Sequence, residues 1–272
     1  MQETIKIKPG NSWLNLDLKD LWIYRELLYF MTWRDVKIRY KQTTIGVFWA
    51  VLQPVLTTAI FTIIFSSFAR FDSINVPYPL FALSGILVWL YVNTSITMAS
   101  NSLIGNTNLV TKIYFPRLIV PIAATLSGLI DLLFGIFLLV LLMLYYGVNL
   151  TWQIIFAPVF VLLAILLTLA FGTLFSAVNV RFRDVKFALP FALQIWMFLS
   201  PVFYPLEILS EKWQAFFALN PLTGILQGFR ASLFGTPFDW FSISLSVALT
   251  FILFMLALLV FKRMEDDFAD LI

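Results

Sequence analysis

The stretch LIVPIAATLSGLIDLLFGIFLLVLLMLYY, residues 118–146, decides the fold class, because it carries a single charged residue, Asp131, in its whole length. Coiled as an α-helix it would reach about 43 Å at 1.5 Å per residue, against a bilayer hydrocarbon core of about 30 Å. The apolar run is continuous rather than alternating, so a membrane helix is preferred to a barrel strand. Five further segments fit the same reading: about 46–68, 80–99, 152–178, 187–203 and 241–261, the fifth span in chain order being interrupted by Pro190 and Pro201. The chain therefore reads as an all-α membrane protein with six transmembrane helices.

Composition agrees. Of 272 residues, 61% are hydrophobic and 12% charged, with a mean hydropathy of +0.91. A soluble domain carries roughly 25% charged residues and could not hide this apolar excess in one core. Aromatic residues make up 17%, including 29 Phe and 9 Trp. Cys and His are both absent. Disulfides, thiol chemistry, Cys/His zinc sites and Ser-His-Asp catalysis are thereby excluded, while compartment is left open.

Residues 1–45 differ from the rest. They are charged and open without an apolar core segment, so no cleavable signal peptide is expected. Leu18 to Tyr40 mixes Leu21, Trp22, Leu28, Phe30 and Trp33 with Arg25, Glu26, Arg34, Asp35 and Lys37. That pattern reads as an amphipathic helix in the membrane interface, or as a small helix packed on the membrane domain. The chain thus divides into a cytoplasmic tail with interfacial helix, 1–45, and a transmembrane domain, 46–272.

Lys and Arg set the orientation. With a cytoplasmic N-terminus, the basic residues outside are only Arg70, Lys212 and Arg230, and the rest gather inside. Both termini are then cytoplasmic, which requires an even number of spans. The external stretch 204–240 is semi-apolar, and its pieces 206–219 and 222–234 are too short to cross. They are expected to be re-entrant helices before the last span.

Little chemistry is available within the spans. Asp131 is the one ionisable group clearly inside, and no membrane-embedded Lys or Arg partner is expected for it. It serves either an ion path or helix packing beside Ser127, Gly128 and Gly135. Gln53 and Gln194 are equally ambiguous. No GxxxxGK[ST] motif occurs, so a nucleotide would have to be hydrolysed by another polypeptide. No catalytic residue, metal site or nucleic-acid surface is expected.

Two cytoplasmic loops carry information. In NSLIGNTNLVTKIYFPRLIVP, 101–121, Asn106 or Thr107 can cap a short helix that Pro116 stops. Leu109 and Ile113 would share a face, with Val110 and Tyr114 beside them. The piece is either a plug for a partner's groove or a loop tucked against neighbouring spans. In NVRFRDVKF, 179–187, Arg181, Arg183 and Lys186 would hold acidic lipid or phosphate, or Asp184 would neutralise one of them.

At these loops the sequence resembles the membrane subunit of ABC-2-type polysaccharide and polyol-phosphate exporters, the family of O-antigen, capsule and teichoic-acid permeases. Four stretches carry the resemblance: RDVKIRYKQTTIGVFWAVLQP (34–54), NLVTKIYFPRLIVP (108–121), NVRFRDVKFALPFALQIWMFLSPVFYP (179–205) and LNPLTGILQGFR (219–230). The resemblance implies a homodimer working with two copies of a separate P-loop ATPase, which binds the ATP and Mg; this chain itself holds no cofactor. It implies an inner-membrane location and a cargo of glycan linked through pyrophosphate to a polyprenyl lipid. It makes the loop with Asn106, Leu109, Lys112, Ile113, Tyr114, Phe115 and Arg117 a coupling helix that docks on the ATPase. It places 182–186 near the inner entrance. Arg34, Arg39, Arg181 and Arg183 would receive the pyrophosphate there, and Trp49, Trp89, Tyr91, Trp196 and Tyr204 would offer flat faces to sliding sugars.

Three other readings remain open: an ABC-2 permease for a small lipid-like drug, a carboxylate-driven secondary transporter, and a lipid-linked glycosyltransferase. For the last, the acids Asp72, Glu207, Glu211 and Asp239 are scattered along the chain.

Overall fold

The computed structural model describes residues 18–41, 46, 48–68 and 76–271. Arg70 and Asp72, named above, lie outside the described residues, as does part of the 34–54 stretch. The elements in order are α1 (Leu18–Ile23), α2 (Arg25–Lys41), α3 (Phe48–Phe68), α4 (Tyr78–Gly105), α5 (Thr107–Lys112), α6 (Ile119–Ser127) and α7 (Leu129–Tyr145). They continue with α8 (Ala157–Arg181), α9 (Val185–Phe198), α10 (Glu211–Ala218), α11 (Pro221–Phe234), α12 (Trp240–Glu265) and α13 (Phe268–Leu271). No strand occurs among the described residues.

Among the described residues, five helices are long and apolar enough to cross a membrane: α3, α4, α6 with α7, α8 with the 3-10 turn before it, and α12. The expected fifth span does not run 187–203. Its helix, α9, has 14 residues, about 21 Å at 1.5 Å per residue, which is short of the bilayer core. Pro190 sits inside α9 without ending it. The stop comes at Phe198, ahead of Pro201, because a residue preceding proline is pushed out of the helical region.

Helix α4 is the axis. It packs on α8, α6, α3, α7 and α11, and α12 closes the bundle against α8 and α11. Its hydroxyls make close contact cheap: Thr94 Oγ1 donates to the Leu90 carbonyl at 2.7 Å and Thr97 Oγ1 to that of Asn93 at 2.8 Å. Small residues that satisfy themselves in this way suit helix interfaces within lipid. Gly224 on α11 shows the same economy of space. A β-carbon there would strike the Ser242 carbonyl of α12, and its N–H donates to Ser246 Oγ at 3.0 Å.

There are two cores. The larger one lies between α4, α7, α8, α9 and α11. The smaller one, at the Gly105 end, joins Met31 of α2, Leu103, Val110, Phe115, Ile119, Phe261 and Phe268. Helix α2 lies along α6 and buries Met31 and Val36. Along the rest of its length Tyr29, Phe30, Trp33 and Ile38 are exposed.

The expected helices of 206–234 are present as α10 and α11. Asn220, at their corner, donates to the Leu199 carbonyl at 2.9 Å and to Ser200 Oγ at 2.8 Å, and accepts from Trp196 Nε1 at 2.9 Å. Trp196 in turn packs on Trp89, well inside α4. The other end of α11, Gly235, touches Thr151 just before α8. The corner therefore lies partway along the bundle, not at its end.

Candidate functional site

The loop between α4 and α6 separates into an anchor and a hook. Helix α5 ends at Lys112, before Pro116, as expected. The expected side-chain cap is not formed. Asn106 Nδ2 donates back to the Ser102 carbonyl at 2.8 Å and Thr107 Oγ1 to the Ile104 carbonyl at 2.7 Å. With one residue between the two helices, the orphan carbonyls ending α4 are the nearer demand. Val110 and Phe115 are buried and Leu109 is half-buried. Arg117 donates from Nη1 to the Glu265 carbonyl, its backbone N–H meets Glu265 Oε1 at 3.4 Å, and its guanidinium lies 6.0 Å from the Phe268 ring. Lys112, Ile113 and Tyr114 stand out, with Ile113 57% and Tyr114 73% exposed. The docking set read from the sequence is thus divided: Phe115 and Arg117 face the bundle, Asn106 serves α4, and Lys112, Ile113 and Tyr114 face away.

Asp131 has partners that the sequence reading did not foresee, from outside the spans. Arg39 Nη1 donates to Oδ2 of Asp131 and the Tyr40 hydroxyl to Oδ1, while Arg39 Nη2 reaches Ser127 Oγ at 3.4 Å. The cation comes from the last turn of α2, outside the spans, so no apolar segment had to carry it. Burial, and then the Asp131 carboxylate, push the Tyr40 phenol well above its ordinary range, so it donates at neutral pH.

These three groups wall a cavity of about 440 Å³ between α2, α3, α4 and α7. Trp49 and Gln53 of α3 and Tyr91, Asn93, Thr94 and Thr97 of α4 also line it, together with the apolar Leu87, Leu90, Met98 and Leu132. Pro54 lies inside α3 and supplies no N–H to the carbonyl of Ala50, and both residues border the space.

The four arginines assigned to pyrophosphate do not converge. Arg39 is held by Asp131, and Arg34 pairs with its neighbour Asp35 at 2.8 Å. Arg181 and Arg183 are exposed at the α8–α9 corner. The aromatics scatter too. Trp49 is half exposed, Trp89 and Tyr91 are buried, and Trp196 rests on Phe171 at 4.9 Å. Tyr204 donates its hydroxyl to the Phe198 carbonyl at 2.7 Å. Only Arg39, Trp49 and Tyr91 share the cavity.

Arg230, which the sequence reading counted only for orientation, is a buried clamp. It donates to the Pro201 carbonyl at 2.6 Å, to those of Val202 and Phe81, and to Ser84 Oγ at 3.3 Å, with its carbon 3.7 Å from the centre of the Phe81 ring. Among the described residues no carboxylate pairs with it, so carbonyl dipoles and the ring face compensate its charge. The turn it holds carries Phe203, stacked on Phe61 of α3 at 4.4 Å and 11°. Gly85 makes room, since a β-carbon there would meet the Val202 carbonyl and Arg230. The sequence signal was an arginine deep in an apolar helical pattern.

The sequence that folds into this helical bundle, with its projecting loop, is similar to those of known proteins over most of its length. The chain is 28% identical over 256 residues to the O-antigen export system permease protein RfbA of Myxococcus xanthus, covering 93% of this chain and 98% of that one. It is 25% identical over 249 residues to RfbA of Klebsiella pneumoniae, covering 91% and 95%. It is 22% identical over 248 residues to the polysialic acid transport protein KpsM of Escherichia coli, covering 86% and 91%. Residues 26–234 match the ABC-2 type transporter family, and with that match spanning most of the length the chain belongs to it.

Proposed function

We propose that this chain is the membrane-spanning subunit of an ATP-driven exporter of lipid-linked polysaccharide, two copies working with two copies of a separate P-loop ATPase. The observation that carries the reading is the exposed Lys112–Ile113–Tyr114 hook, seated on buried Phe115 and on Arg117. Apolar side chains held out on a stiff support suit a partner's groove. Force received there passes into α4 and α6, which flank the loop, and through Arg117 into the end of α12. The O-antigen and polysialic acid permeases similar to this chain support a glycan cargo over a small drug. The basic bias supports cytoplasmic termini in an inner membrane, and the midway corner at Asn220 supports α10 and α11 as a re-entrant pair. The exposed apolar face of α3, with Ile60 and Ile63, offers area to lipid or to a second copy. A secondary carrier is disfavoured because Arg39 and Tyr40 already engage the one intramembrane carboxylate.

The test combines Lys112→Glu, Ile113→Ala and Tyr114→Ala in the complex reconstituted with its ATPase. Hot-spot contacts of about 2 kcal/mol predict a loss of export of roughly thirtyfold, with an unchanged melting midpoint. Unchanged export and unchanged cargo-stimulated hydrolysis would overturn the docking role. Uphill transport by the chain alone, on an ion gradient without ATP, would overturn the whole reading.

A further inference from the structure

We infer that the cavity between α2, α3, α4 and α7 is a binding site for the uncharged sugar nearest the lipid, and not for the pyrophosphate beside it. The inference rests on the proposed export function and deepens it. Three observations carry it.

The first is charge. The one cation on the wall, Arg39, is already bonded to Asp131, and Tyr40 occupies the second carboxylate oxygen. The wall is therefore electroneutral. A pyrophosphate entering it would have to displace Asp131 from Arg39 and would then face that carboxylate unshielded.

The second is lining chemistry. Trp49, half exposed, offers a ring face, and Gln53 and Asn93 offer amide groups, with the Tyr91 ring packed into the wall behind them. Rings that cover C–H faces and neutral groups that both donate and accept are what a sugar needs. The third is size and place. A space of about 440 Å³ falls in the range of small-ligand sites, and it lies beside the last turn of α2, where the chain enters its first span.

The chain contains no cysteine, so one introduced thiol reports on the cavity alone. Ala50→Cys, at a position that borders the cavity but offers no polar group or ring to the sugar, is checked for normal export and placed in the permease–ATPase complex in lipid nanodiscs, and the rate of labelling by a small water-soluble maleimide is followed. The probes are the lipid-linked glycan extracted from the host's membranes and bare polyprenyl pyrophosphate. The glycan-bearing lipid should slow labelling about fivefold, and Trp49→Ala should remove most of that protection, as expected for one lost stacking contact. Bare polyprenyl pyrophosphate should leave the rate unchanged. Adding Asp131→Asn frees Arg39, so bare pyrophosphate should then protect.

Equal protection by both lipids in the parent would overturn the assignment in favour of a phosphate site. If the glycan lipid stimulates ATP hydrolysis without slowing labelling, the cavity assignment fails while the export function stands. If it does neither, both fall.

Discussion

Arg230 illustrates how much a single side chain can hold. Replacing it with Ala would remove a donor from four buried acceptors drawn from α4 and the 201–202 turn, of which the Phe81 carbonyl keeps its bond from Ser84 Oγ. The expected destabilisation is about 3 kcal/mol or more, read as a lower melting midpoint in detergent and poorer accumulation in the membrane. Arg230→Lys should rescue little, because an ammonium lacks the planar fork that serves several acceptors at once. A variant with an unchanged midpoint would show the clamp to be idle. The Arg39–Asp131 pair is partly exposed, so each single truncation is expected to cost a discounted amount of about 1–3 kcal/mol. The double change Arg39→Met with Asp131→Leu should recover most of it, which a double-mutant cycle on melting midpoints measures. Neither residue's role was legible in the sequence. Asp131 shows as a lone charge in an apolar run, but its partner lies 92 positions away on a helix that reads as surface. Arg230 likewise finds its acceptors on backbone carbonyls, which leave no trace in residue type.

At the scale of elements, the long runs were legible because periodicity and length agree in them. Residues 118–146 gave α6 and α7, with a break at Gly128 that hydropathy does not register. The fifth apolar segment misled because composition cannot tell a crossing helix from a shorter one followed by a buried turn. Ser200, Val202 and Phe203 are as buried as any span residue, yet lie outside helix. The capping of α5 was misread for a related reason: Asn106 and Thr107 serve the helix before them. A short α9 makes a measurable prediction. A thiol at Phe187 should react with impermeant reagent from the cytoplasmic side and one at Ser210 from the outer side, while one at Ser200 should resist both. Ready labelling at Ser200 from either side would contradict the buried turn.

For the whole molecule, composition alone settled lipid as the solvent and helix as the structure, since so apolar a chain has no aqueous alternative. It could not reveal how the cavity gathers α2, α3, α4 and α7, because that depends on which faces meet. Nor could it show that the smaller core draws Met31 of α2, the loop's buried Val110 and Phe115, and Phe268 of α13 into one block. That block has a practical corollary for anyone handling the protein. A fluorescent or affinity handle spliced on beyond Leu271 would emerge next to Arg117 and the Lys112–Tyr114 hook. If the hook is the docking surface proposed above, such a fusion should lower export more than the same handle placed ahead of Leu18.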